Sequence, residues 1–405
     1  MRNIVASHLV LALAVLVHAF APASAQEISD GKVRIGVITD MSGPYADLGG
    51  KGSVLAAEMA VKDFGGTVRG KPVEIVFSDH QNKPDIASAR VREWFDRDGV
   101  DMVTDVLSSP VGLTVAKIAA EKRRLVINTG SATTRLTNED CNQYSVSYVY
   151  DTFMLANGNA KALLAQGQKD WFFLTVDNAF GQSLEKDSSE VLLAAGGSVK
   201  GSVRHPLNTS DFSSFLLQAQ SSGAQVLVIA NAGADTLNAL RTASEFGLTK
   251  KMKVAALMAL IGEVDALGPK IARGMFVTEG WYWDTNDETR AFGKRYFAQM
   301  NRMPNMSHAG IYSAVTTYLK AIDATGTDDA DKVIAWLRSH RINDMFAKDG
   351  FIREDGRMVH DVYLMQAKKP DEVAYPWDYM KILSVLKGED AFQSLSKSRC
   401  ALVKK

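Results

Sequence analysis

Val33-Arg34-Ile35-Gly36-Val37-Ile38-Thr39-Asp40-Met41-Ser42-Gly43-Pro44-Tyr45-Ala46-Asp47-Leu48-Gly49-Gly50 runs from a β-branched apolar segment into a Ser/Gly/Pro loop. The apolar part reads as a strand buried on both faces, as parallel sheets require. A helix is expected to open near Ser53. In an open α/β sheet, ligands sit at the carboxyl ends of strands, where such loops emerge. The helix N-terminus that follows offers free N–H groups and a partial positive charge, suited to a carboxylate.

Upstream, Met1–Ala25 has the three parts of a secretory signal: Arg2, an apolar core from Leu9 to Val17, and Ala23-Ser24-Ala25 for cleavage. The core is too short to span a bilayer, and no later stretch approaches the ~20 apolar residues a membrane helix needs. The mature chain is therefore expected to be periplasmic, cleaved after Ala25. With no Cys at that site, a lipid-anchored form is disfavoured. An exported protein that begins this way suits a solute catcher better than a cytoplasmic enzyme.

The roughly 380 residues that remain exceed what one hydrophobic core usually supports, so two lobes are expected. Charge is balanced, 46 basic against 46 acidic residues, with no basic run, which excludes nucleic acid and anionic membrane surfaces as partners. Cys141 and Cys400 are the two cysteines. In an oxidising compartment such a pair most simply forms one disulfide, with two free thiols the alternative. Five of the histidines, His80, His205, His308, His340 and His360, show no metal-ligand spacing, and no nucleophile-elbow, P-loop or dinucleotide motif is present. No cofactor, no metal and no catalytic role is expected.

Strands and helices alternate in two blocks. The first places strands at 33–39, 73–78, 102–106 and 125–128, with helices at 53–64, 85–97 and 111–122. The second places strands at 171–176, 199–205, 226–229 and 275–279, with helices at 181–195 and 235–246 and a further one, capped by Asp211, that carries Phe212, Phe215 and Leu216. Helices follow at 287–300, 308–324 and 330–337, then a hairpin from 350–357 to 359–366 turning at Glu354-Asp355-Gly356. The remainder, with Pro370 and Pro376, reads as a tail.

These segments together resemble the leucine/isoleucine/valine-binding protein family, the type I periplasmic receptors of ABC importers. The anchors are Met41-Ser42-Gly43-Pro44, Ser108-Ser109, Ser131-Ala132-Thr133 with Leu136-Thr137, Asp177-Asn178-Ala179-Phe180-Gly181 and Asp211-Phe212-Ser213. The resemblance implies an α/β fold of two Rossmann-like lobes joined by a three-segment hinge. It places lobe one at 31–148 and 280–344, lobe two at 149–279 and 345–385, and a tail at 386–405. It also implies a monomer that closes on a small ligand and presents it to an ABC permease; a ligand-sensing receptor of the same fold is the rival.

In that family a carboxylate is held by two loops of lobe one, which map here to Ser108, Ser109, Ala132 and Thr133. Helix capping and a tight turn are the blander roles for the same residues. Amino-acid binders place an acid after the fourth strand of lobe two. The matching stretch, Val254 to Leu260, has none, and Leu257 and Met258 stand there. The expected tyrosine on the neighbouring loop falls at Ala232. A buried ammonium without a carboxylate partner costs at least several kcal/mol. The expected ligand is thus a small apolar or aromatic carboxylate, with an amino acid as the alternative. Candidate walls are Tyr45, Leu48, Tyr150, Phe180 and Trp281. Tyr148, Tyr282 and Trp283 are further aromatics near the crossovers, and strand alternation would set Trp281 and Trp283 opposite Tyr282.

Overall fold

A computed structural model describes residues 28–404; the expected signal at 1–25 lies outside them. Among the described residues the first sheet holds β1 (Val33–Thr39), β2 (Thr67–Val68), β3 (Lys71–Asp79), β4 (Met102–Asp105), β5 (Leu125–Asn128) and β6 (Ser145–Ser147), ordered β2-β3-β1-β4-β5-β6. β1 pairs in parallel with both β3 and β4, which is why its apolar run has no polar alternation. Its side chains divide between two cores. Val33, Ile35 and Val37 face the side of α1 (Gly50–Phe64), whereas Ile38 joins Val91 and Trp94 of α2 (Pro84–Asp96) and Val111 and Val115 of α3 (Ser109–Lys122).

After α4 (Thr152–Ala165) a second parallel sheet forms from β7 (Asp170–Val176), β8 (Ser198–His205), β9 (Val226–Ala230) and β10 (Lys253–Ala256), ordered β10-β9-β7-β8. Its helices are α5 (Ala179–Ala194), α6 (Ser213–Ser221), α7 (Gly233–Glu245), α8 (Ile261–Leu267) and α9 (Pro269–Ala272). Asp211 accepts the Ser213 N–H at 2.8 Å, as its position before α6 suggested. β11 (Phe276–Glu279) then leads to α10 (Asp287–Met300), α11 (Met306–Thr325) and α12 (Ala330–Ser339). α11 packs along α1 and thereby covers the first sheet.

The C-terminal reading needs correction. The turn at Gly356 (φ 83°) is present, but the hairpin is short: β12 (Phe351–Ile352) pairs with β13 (Met358–Val359). β14 (Val362–Ala367) belongs elsewhere, in an antiparallel sheet ordered β11-β14-β15, where β15 is Met380–Leu386. The expected tail thus contains a strand, followed by α13 (Gly388–Ala391). The end of the chain is held by the Cys141–Cys400 disulfide (Cα–Cα 5.6 Å) and by Arg399, which pairs with Glu139 at 2.9 Å.

Three chain segments meet where the halves join. Gly280 is constrained there, because a Cβ would lie 2.7 Å from His360 and 3.4 Å from the Val149 carbonyl. His360 Nε2 is 2.6 Å from that same carbonyl. Beside it, the wholly buried Arg357 donates to the Tyr150 carbonyl at 2.9 Å and stands 3.5 Å from the Asp151 carboxylate. Its guanidinium also lies 4.6 Å over the Phe392 ring. Asp151 in turn caps α4 by accepting the Met154 N–H at 2.8 Å.

Two outcomes are expected. Arg357→Ala should lower stability by about 3–5 kcal/mol in denaturant melts, since Asp151 would be left buried and unpaired; a change within the range of surface substitutions would contradict this. Reducing the disulfide, which closes a separation of 259 residues, should lower the melting temperature with a stability loss of about 2–5 kcal/mol. Free thiols in the exported protein would refute the pairing in the cell.

Candidate functional site

The loop after β4 is held in an unusual backbone: Asp105, Val106 and Ser108 all have positive φ (66°, 55° and 94°). Such clustering of strained residues is characteristic of ligand clamps. It sets Ser108 and Ser109 at the N-terminus of α3, beside the Gly130–Ala132 loop that follows β5. Opposite them stand the N-termini of α5, with Phe180, and of α7, with Ala232. Met258 comes from the turn after β10, and Tyr45 and Leu48 from the loop after β1. Carboxyl ends of strands from both sheets therefore surround one cavity.

Nine of the twelve expected site residues line this cavity: Tyr45, Leu48, Ser108, Ser109, Ala132, Tyr150, Phe180, Ala232 and Met258. Leu107 and Gly130 complete it. The space between its walls that a water can occupy is about 20 Å³, enough for a single water.

The polar groups are few. Ser108 caps nothing with its side chain, so the capping role does not account for it. Ser109 Oγ accepts the Thr133 N–H at 3.1 Å and keeps its own O–H free to donate. Tyr150 Oη donates to the Gly130 carbonyl at 2.6 Å, fixing the β5 loop. The Tyr45 hydroxyl is buried without a hydrogen-bond partner. Asp40, which the sequence reading passed over, shapes that loop by accepting the N–H groups of Gly43 and Tyr45 at 2.8 and 2.9 Å.

Three expected site residues lie elsewhere. Thr133 is turned toward the second lobe, where its Oγ1 is 2.7 Å from Ser183 Oγ on α5. Leu257 is packed in the core, its carbonyl accepting from Asn159 at 3.2 Å. Trp281 stacks edge-to-face on Phe292 and donates its Nε1–H to the Met345 carbonyl at 3.1 Å. The alternation expected over 281–283 also fails, because β11 ends at Glu279. Tyr282 and Trp283 consequently both reach the carbonyl of Trp377, at 3.5 and 3.3 Å.

The halves also touch directly around the cavity. Ala234 N–H donates to the Pro44 carbonyl at 3.0 Å, and Gly233 (φ 60°) permits it, since a Cβ would fall 2.3 Å from that oxygen. Asp187 on α5 accepts from Thr134 at 3.1 Å and Thr152 at 2.6 Å. Burial pushes the Asp187 carboxyl up to about 7, with the Thr152 hydrogen bond opposing that rise.

None of the described residues lining the cavity is charged. Acids are present farther back. Glu263 accepts the Leu260 N–H at 3.0 Å and is raised by burial to about 7. Burial also holds Glu279 well above the carboxylate range, with Glu263 adding to the effect. Asp235 does not cap α7; its Oδ2 accepts the Asn208 N–H at 2.9 Å. Among the described residues no cluster of His, Cys, Asp and Glu could hold a metal, and no helix is long and apolar enough to cross a membrane.

A family model described as "Periplasmic binding protein" matches residues 32–372. A crystal structure of a periplasmic binding protein from Burkholderia mallei is 52% identical, covers 92% of this chain and 100% of its own, and superposes with a TM-score of 0.91. A branched chain amino acid ABC transporter periplasmic ligand-binding protein from Burkholderia xenovorans LB400 is 41% identical over 92% and 100%, with a TM-score of 0.82. A curated Leu/Ile/Val-binding protein homolog 6 from Brucella melitensis is 25% identical over 352 residues, covering 85% of this chain and 89% of the relative. With the fold, the interlobe cavity and these matches together, the chain belongs to the periplasmic binding protein family.

Proposed function

We propose that this protein is the exported solute-binding component of an ABC importer, capturing a small apolar or aromatic carboxylate between its lobes for delivery to the permease. The observation that carries the reading is the lining of the cavity: a helix N-terminus with two serine hydroxyls, apolar and tyrosine walls, and no charged side chain. Hydroxyls and backbone N–H groups at a helix start satisfy a carboxylate without a buried cation. An ammonium placed beside it would meet Ala232 and Met258, and its desolvation would go unmatched. The rest of the ligand would be recognised by Phe180, Leu48 and the ring of Tyr45. The role is binding rather than turnover.

The lobes are proposed, as the resemblance implied, at 31–148 with 280–344 and at 149–279 with 345–385. The bridge of Arg357 to Ser147 and the packing of the β12–β13 hairpin on α12 support extending the first lobe through that hairpin. Residues 1–25 would be the export signal, and the working form a monomer. Ligand would shift the open–closed equilibrium by its extra affinity for the closed form. A branched-chain amino acid is the second reading, favoured by the designation of the 41%-identical relative.

A melting panel separates the two readings. Benzoate-like or aryl-propanoate-like acids should raise the melting temperature and leucine and valine should not; stabilisation by the amino acids alone would overturn the first reading. Ser109→Ala should weaken the effective acid by roughly tenfold, about one hydrogen bond to a charged group, as isothermal titration would read. Closure is expected to be pH-linked through Asp187. Its folded pKa of about 7 lies above the unfolded value, so its contribution is full at low pH and is lost as pH rises through about 7. Melting curves of Asp187→Asn should therefore be flatter across that range than those of the parent. Parallel slopes would remove Asp187 from the linkage.

A further inference from the structure

A second concavity lies away from the cleft, on the flank where β10 ends one sheet and β11 ends another. β10 and β11 do not pair with each other, and the groove is lined by Lys253–Ala255 of the β10 edge and by Gly274, Met275 and Phe276 at the start of β11. The groove has about 610 Å³ of room. Its floor is apolar, from Leu163, Val254, Ile271 and Met275 among others, and its rim carries Lys250, Lys253, Lys270 and Arg273. No carboxylate lines it, and none of the four cations is in an ion pair among the described residues. Lys253 bonds only to the Gln166 amide and sits 5.3 Å over the Phe276 ring.

From this we infer that the β10–β11 groove is a docking site for an extended, acidic peptide segment of a protein partner. Edge-strand backbones recognise an extended chain by main-chain hydrogen bonds, while pockets beside them take alternate side chains. An apolar floor under a cationic rim calls for alternating aliphatic and acidic residues. Four uncompensated cations around one concavity also attract such a segment at long range, with a strong dependence on salt. A bilayer surface is flat and cannot enter a concave groove, which favours a peptide over anionic lipid. The inference does not depend on the identity of the cleft ligand, because no residue of the groove lines the cleft cavity.

Fluorescence anisotropy of the mature protein with a labelled octapeptide alternating glutamate and valine provides the test. Saturable binding at low salt is expected, weakening as salt is added, with no binding of the matching lysine–valine peptide. The exposed double variant K250E/R273E should bind the acidic peptide about tenfold more weakly with an unchanged melting curve. Absence of saturable binding would overturn the assignment and leave the lysines as guards against edge-to-edge aggregation. Equal binding by the variant would place the peptide elsewhere. Sedimentation with phosphatidylglycerol vesicles that depends on Lys250 and Arg273, without peptide binding, would assign the cations to a membrane surface instead.

Discussion

The guanidinium of Arg357 is buried completely at the point where the two halves meet, with Nε and one terminal nitrogen hydrogen-bonded and the other terminal nitrogen, Nη2, left without a partner. A full charge in such a place is tolerated only with good geometry and a partner. Two of its partners, the Tyr150 carbonyl and the Asp151 carboxylate, lie on the first crossover, and the Phe392 ring covers its face. Burial, with Arg353 adding to it and Asp151 opposing it, brings the Arg357 pKa down to about 10. Asp151 is also the cap that starts α4, so one carboxylate ties the first crossover, the C-terminal hairpin and the entry to the second lobe. Gly280 and His360 bring two further segments of the chain to the same point. A joint built from backbone carbonyls and one ion pair positions the lobes while leaving few side chains to repack when they move.

How much of this could be read from residues depended on the range of the forces involved. The parallel strands were legible because burial on both faces leaves a short apolar run, as in Ile35–Ile38 and Val226–Ala230. The cavity walls were largely legible too, since loops at strand ends must converge in such a fold. The short β6 and the exposed β15 were not. Three residues carry no periodicity, and β15 shows an irregular, largely solvent-facing pattern between a proline-bearing loop and a polar end. Arg357 looked like part of a turn because its role is created by Tyr150, 207 residues away in sequence. Thr133 and Trp281 lie outside the cavity lining for a related reason. Their partners, Ser183 and Met345, are 50 and 64 residues away in sequence.

The charge logic of the cleft is also sharper in three dimensions. The stretch Val254–Leu260 is neutral as read, yet Glu263 lies three residues beyond and is buried against the start of α8. Its carboxylate is turned to the Leu260 N–H and is absent from the cavity lining. Elevated protonation of Glu263 and Glu279 means that this region need not hold two negative charges at neutral pH. Neither acid lines the cavity, whose described lining is neutral.

Closure itself follows from the fate of Thr133. Its N–H donates to the hydroxyl oxygen of Ser109, the proposed partner of a ligand carboxylate, while its hydroxyl reaches Ser183 across the cleft. The loop that would order around a carboxylate is thus the loop that grips the second lobe, and ordering either end favours the other. Direct interlobe bonds of this kind, with Ala234 to Pro44 and Thr134 to Asp187, each contribute about 1 kcal/mol toward the closed form. A ligand shifts the equilibrium only by the difference in its affinity for the two forms. Because the protein supplies part of the closure energy, a ligand with a single polar end and an apolar body can complete it. Such an arrangement suits a small carboxylate, which has no second charged group with which to bridge the lobes.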